Sequence, residues 1–324
     1  MTANLPALDQ QAAERLQDQF RGLLLGLALG DALGAAVQHR RAGTFSRIAD
    51  LLGGGPYDLP RGAWSDDTAT ALHCADSYTD CGRHDASDIW DRWTSWRLNG
   101  FGSATGHCLG ISAAMASALS RAPGCAQSEA VDAEPLPRVA VAAAFGFTDV
   151  SEAVSLGVEA AQLTHPAPGV LDVSRVYAAL IFGAIDGTSH EMLFSSSFET
   201  LRNVGTAPNS EAVKLAAGGW RDIDDPIRQG GARGSALDVL ALVYAAMTTS
   251  TSYKEAVLAA VNAGGHADIC GATVGALAGA LYGRNALPSH WLLALVDRDA
   301  IEARADRLLV AALTRLLDAP CAVA

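Results

Sequence analysis

The chain has 324 residues and a formal net charge of −12, with 50% of its residues hydrophobic and 18% charged. That length can bury a large core, and that composition excludes a disordered chain. The acidic balance repels phosphate backbones, so nucleic acid is not expected as a partner. Alanine is abundant and aromatics make up only 6%, which favours helices in close contact. The six cysteines, Cys74, Cys81, Cys108, Cys125, Cys270 and Cys321, contain no CxxC pair. Free thiols in a reducing cytoplasm are the expectation. The N-terminus, MTANLPALDQQAAERL, does not read as a signal peptide.

The first helical pattern starts near Asp9 and runs through RLQDQFRGLLLGLALGDALGAAV. Its glycines, Gly22, Gly26, Gly30 and Gly34, fall every fourth residue and therefore on one face. Residues 39–63 lack periodicity and contain Gly53–Gly55 and two prolines, which predicts a long loop. Helical patterns follow at about 66–80, 86–98 and 108–121. A loop spans 122–137. Helices resume near 138–147, 151–163, 172–186, 190–203, 209–216, 234–248, 253–263, 270–282 and 297–317, with a polar loop at 220–233. Few segments alternate like strands and no linker is evident, so one all-α domain over 1–324 is expected.

A second glycine ladder, Gly271, Gly275, Gly279 and Gly283, lies in GGHADICGATVGALAGALYG. A mid-helix glycine costs about 1 kcal/mol relative to alanine. Two such ladders therefore predict two central helices whose backbones nearly touch their neighbours. Ile269–Gly283 is uncharged for 15 residues, short of the roughly 20 that a membrane span needs. No membrane partner is expected.

Five short motifs are able to carry chemistry. Trp64-Ser65-Asp66-Asp67-Thr68 opens a helix; Ser65 or Asp66 could cap it, or one hydroxyl and two carboxylates could hold a hard cation. His266-Ala267-Asp268 follows two glycines that permit a tight turn; packing, capping and metal ligation all fit. Asp31 sits inside the first glycine helix and needs a partner or a cation. In Asn99–His107, the N–H groups of Gly100, Gly102, Ser103, Thr105 and Gly106 could meet phosphate, or simply form a turn. Thr164-His165 could cap a helix C-terminus.

Together these pieces resemble the ADP-ribosylglycohydrolase family. The matching blocks are Gly26-Leu-Ala-Leu-Gly30-Asp31-Ala32-Leu33-Gly34, Trp64–Thr68, Thr164-His165, Gly264–Ile269 and Gly275–Gly283. They keep the family order and span roughly residues 20–315. The resemblance implies an orthogonal all-α fold with a central cleft. It also implies Mg²⁺ or Mn²⁺ between the two acidic motifs, held by Ser65, Asp66, Asp67, His266 and Asp268. Asp67, Asp268 and Gln38 stand at the catalytic positions. Substrate contacts fall to Asp31, His165, Arg138 and the glycine loop with Gly100, Gly102, Ser103, Thr105 and Gly106. Three positions depart from the family pattern: Gln38 replaces a glutamate, His266 an aspartate and Ile269 a threonine. The central substrate-holding segment is reduced to Glu134-Pro-Leu-Pro-Arg138. The implied activity is metal-dependent hydrolysis of an ADP-ribosyl, or related ribosyl, bond on a modified protein or small molecule. The alternative is an impaired pseudoenzyme that binds ADP-ribose, a nucleotide or a protein partner.

Overall fold

The computed structural model describes residues 10–123, 126, 128–200, 205, 210–223, 227 and 234–318. Among them, ten helices exceed eight residues. They are α1 (Gln10–Ala35), α2 (Asp66–Cys81), α3 (Ala86–Asn99), α4 (Leu136–Phe145) and α5 (Val150–Gln162). They continue as α6 (Pro168–Asp186), α7 (Ala236–Thr248), α8 (Tyr253–Val261), α9 (Ala267–Tyr282) and α10 (Arg298–Asp318). No strand occurs among the described residues, only isolated bridges. The fold is all-α.

Local chemistry explains most helix starts. Asp85, Asp149, Ser235 and Ser252 accept first-turn N–H groups and so cap α3, α5, α7 and α8. Pro137 and Pro168 stand in the first positions of α4 and α6, where their missing N–H is not needed.

The two glycine ridges meet each other. Helices α1 and α9 run antiparallel, pairing Gly22 with Gly279, Gly26 with Gly275, Gly30 with Gly271 and Gly34 with Ala267. A Cβ placed on any of those seven glycines would come within 3.0 Å of the facing backbone oxygen. Two buried tyrosines brace the pair. Tyr253 of α8 donates to Gly26 O at 2.7 Å, and Tyr177 of α6 donates to Thr273 O at 2.7 Å. Around this axis one apolar cluster extends from Leu16 to Ala312. Helix α6 is long and apolar enough to cross a membrane by length and composition, and 67% of its most apolar window is buried inside the protein.

The structure corrects two predicted helices. The stretch 108–121 is helical only over Ala113–Ala118, because Gly100 ends α3 at φ 67 and the chain then loops to a new cap at Ser112. Among its described residues, the stretch 190–203 is α-helical over His190–Leu193, after which the serine-rich run turns through a Ser195 N–H bond to Met192 O and residues 199–200 take up a 3-10 turn. Residues 201–204, and most of the loop predicted at 220–233, lie outside the described residues. So do the first nine residues, Cys125 and Cys321. The described Cys74, Cys81, Cys108 and Cys270 are free thiols.

Candidate metal and substrate cleft

The cleft is built where α1 ends and where α2 and α9 begin. Its anchor is Asp31, fully buried on α1. Its carboxylate accepts from Ser65 N at 2.9 Å, Ser65 Oγ at 2.7 Å, Thr68 N at 3.1 Å and Thr68 Oγ1 at 2.6 Å. Asp31 therefore caps α2 from another helix; the Ser65 side chain makes no capping bond of its own. With four donors and no exposure, the Asp31 carboxylate is committed to the α2 terminus, a structural role where a substrate contact was expected. Ser65 gives its hydroxyl hydrogen to Asp31, which leaves the oxygen lone pairs of that hydroxyl for a cation.

The first turn of α2 then presents Asp66 and Asp67, both buried. Neither Asp67 oxygen has a hydrogen-bond partner, and neither does Oδ1 of Asp268. Gly264 and Gly265, at φ 70 and φ 64, form the turn that aims Asp268 here. This turn is stitched to the end of α1. His39 N donates to Gly265 O at 2.6 Å, and Gly265 N donates to Arg40 O at 2.7 Å. Gln38 is thereby set against Asp268, and its Nε2 donates to Asp268 Oδ2.

Burial, then repulsion from Asp268 and Glu134, pushes Asp66 well above the usual carboxylate range. Burial, then Asp66 and Asp268, does the same to Asp67. Burial, then Asp31, pushes Asp268 up to about 7. A buried carboxylate without a donor is expensive when ionised. Orphaned oxygens on Asp67 and Asp268, with the Ser65 hydroxyl already donating to Asp31, are the donor type that a hard divalent cation takes.

The sign of the resulting pH effect is definite. Raised folded pKa values favour the protonated fold. That stabilisation is complete below the unfolded value of 3.8 and is lost as pH rises through about 7. The metal-stripped protein is therefore expected to melt at lower temperature at about pH 8 than at about pH 6. Added Mn²⁺ should restore the loss mainly at the higher pH. Thermal unfolding with EDTA or Mn²⁺ across that range checks this.

Other sequence candidates are placed differently. Arg138 is fully buried and donates to Ala160 O at 3.1 Å, Glu134 O at 3.4 Å and Thr164 Oγ1. Its charge is committed to the core, not to substrate. In the glycine loop, Gly100 N is bonded to Trp96 O, and Ser103 N to Gly100 O, so neither can serve phosphate. Gly102 covers His73, which burial pushes down to about 4 and whose Nε2 is 3.1 Å from Phe101 O. Gly102 and Gly106 are exposed and Thr105 is partly so. The loop enters the cleft further on, at Gly110, whose φ of 87 and open α-carbon admit the Asp66 carboxylate. His266 is half-buried beside Gly234, with its ring edge-on to His39 at 5.7 Å. Burial and His39 lower its pKa.

Three residues not singled out as site groups from the sequence, Ser112, Asp132 and Glu134, gather around His165, which was expected to contact substrate. Ser112 donates to Glu134, which is 3% exposed. His165, fully buried, places Nε2 at 3.1 Å from Asp132 and 3.8 Å from Glu134. Among the described residues, Asp132, Glu134 and His165 are the trio whose donor atoms all lie within 4.8 Å of one another. Asp66, Asp67 and Asp268 are not drawn in as tightly. An imidazole attracts its two acids, whereas three carboxylates repel one another. The sequence signal was weak: two acids in a stretch read as a plain loop.

Fold and site together define an all-helical protein with a buried group of carboxylates, several of whose oxygens lack a hydrogen-bond donor. The chain belongs to the ADP-ribosylglycohydrolase family, whose model matches residues 12–317. It is 29% identical over 299 residues to ADP-ribosylarginine hydrolase Tri1 of Serratia proteamaculans, covering 90% of this chain and 79% of that protein. It is 28% identical over 319 residues to ADP-ribosyl-[dinitrogen reductase] glycohydrolase of Rhodospirillum rubrum, covering 92% and 97%. A solved structure described as an ADP-ribosylglycohydrolase-related protein complex superposes with a TM-score of 0.78 at 32% identity, covering 92% of this chain and 99% of that one.

Proposed function

We propose that this chain is a divalent-metal-dependent hydrolase that releases ADP-ribose from a modified side chain, with arginine as the first linkage to test. The observation that carries the reading is the set of buried carboxylate oxygens without a donor, both on Asp67 and Oδ1 of Asp268, in the same acidic group as Asp66. The arginine linkage is suggested by the Serratia relative, which is named for it.

Ser65, Asp66, Asp67 and Asp268 would hold the cation. When bound, it supplies positive charge for ribose hydroxyls and acidifies a ligated water. The protein's own groups do the rest. Asp67 and Asp268 stabilise the positive charge that develops at the anomeric carbon. Gln38, next to Asp268, can orient a water but cannot take its proton, so a carboxylate must be the acceptor. Asp31 keeps the α2 terminus, and with it Asp66 and Asp67, in place.

The test is ADP-ribose release from ADP-ribosyl-arginine protein with Mg²⁺, Mn²⁺ or Zn²⁺ supplied in turn. Metal-dependent release supports the reading.

One contact favours a second reading. Gln38 already occupies Oδ2 of Asp268, and His266 and Ile269 supply no carboxylate or hydroxyl beside it. In that reading the chain binds ADP-ribose without turnover. The triple replacement Gln38→Glu, His266→Asp and Ile269→Thr is then expected to create activity that the native chain lacks, measured in the same assay.

A further inference from the structure

The cleft carries more negative charge than one cation answers. Asp66 and Asp67 feel the charges of Asp268 and Glu134, and among the described residues no lysine or arginine forms an ion pair with Asp66, Asp67, Asp132, Glu134 or Asp268. Two of these acids, Asp132 and Glu134, share the His165 imidazole. Without an ion, His165 Nε2 and Asp132 share a hydrogen bond of 3.1 Å, with Glu134 at 3.8 Å and all three donor atoms within 4.8 Å of one another. Ligands about 2.1 Å from a tetrahedral ion stand about 3.4 Å apart, so an ion replacing that proton would need only small shifts of the trio.

We propose that Asp132, Glu134 and His165 form a second divalent-cation site, of mixed nitrogen and oxygen donors, that takes Zn²⁺ or Mn²⁺ in preference to Mg²⁺. The site is separate from the all-oxygen donor set of Ser65, Asp66, Asp67 and Asp268, and the proposal goes beyond the functional reading above.

The supporting shell is already built. A metal-bound imidazole needs a partner that accepts the proton on its other nitrogen. Thr164 Oγ1 lies 2.7 Å from His165 Nδ1, and Arg138 donates to the same oxygen from within the core. Thr164 and Arg138 thus fix the ring with Nε2 turned to the two acids. Ser112 holds Glu134 by donating to one of its oxygens. Asp132 is anchored through its backbone, which bridges to Ser235. Three protein donors, one of them half-exposed at Asp132, leave room for water or substrate at a fourth position. Imidazole prefers Zn²⁺ or Mn²⁺ over the harder Mg²⁺. The acid that His266 displaces at the start of α9 is thereby offset by Glu134 across the cleft.

The test is Co²⁺ titration of the metal-stripped full chain, followed by visible absorption, since Co²⁺ reports nitrogen ligation and low coordination number. Intense visible bands should develop, resist excess Mg²⁺ and yield to Zn²⁺. They should be lost in Glu134→Gln and His165→Ala yet persist in Asp67→Asn, which disturbs only the other donor set. Because His165 is in the core, Asp132→Asn decides the matter if His165→Ala fails to fold. Bands that survive in both Glu134→Gln and Asp132→Asn, bands that vanish in Asp67→Asn alone, or no bands in the native chain would each overturn the proposal. None of these outcomes depends on ADP-ribose release.

Discussion

Asp67→Asn should lower metal-dependent ADP-ribose release by about 10³-fold, the range seen when one charged group is removed from such a centre. The change is isosteric, so packing is preserved. It also removes a carboxylate that is buried, lacks hydrogen-bond donors and is pushed well above its usual pKa. The metal-stripped variant should therefore melt at the same temperature as the native chain or higher at about pH 8. A purely structural Asp67 would give the opposite pair of results, a lower melting temperature with activity largely kept. Initial rates and thermal unfolding on the same preparations separate the two.

Gly30→Ala should destabilise the fold by at least about 3 kcal/mol. On an exposed helix face the same change would stabilise by about 1 kcal/mol. The sign reverses because the new Cβ would press on the carbonyl of Gly271, and neither backbone can withdraw without losing the neighbouring contacts at Gly26 and Gly34. Gly169→Ala is the matching control. That glycine sits in the exposed first turn of α6, where an added Cβ would meet nothing within 4 Å, so its change should be neutral to stabilising, by up to about 1 kcal/mol. Denaturant unfolding of both variants measures the difference.

The glycine ladders were legible because a four-residue repeat has few explanations other than backbone contact; the structure pairs six of those glycines with one another, sets Gly34 against Ala267 and leaves Gly283 against Asp18. The motif order likewise identified the family, and the turn at Gly264-Gly265 sets Asp268 beside Gln38 as close approach requires. What escaped the sequence were contacts between distant segments. Nothing local marks Asp31 as the cap of α2, because its four donors come from residues at least 34 positions away. Arg138 read as a substrate group because it matched the arginine of the family's central substrate-holding segment; only tertiary packing reveals that it is spent on Thr164 and Ala160. Asp132 and Glu134 lay in a stretch without periodicity, and they gain meaning only when His165 folds onto them.

The antiparallel register of α1 and α9 sets a rule for tolerated length change. Each facing pair of ridge residues sums to the same number, 22 with 279 and 30 with 271 among them. One inserted residue between Gly22 and Gly34 would turn everything beyond it by about 100°, swinging Asp31 off the α2 terminus and moving Gln38 from Asp268. Indels across relatives should therefore collect in segments such as 39–63 and spare both ridges, so that the helix pair works as a fixed gauge while the ligands at its end are free to be exchanged.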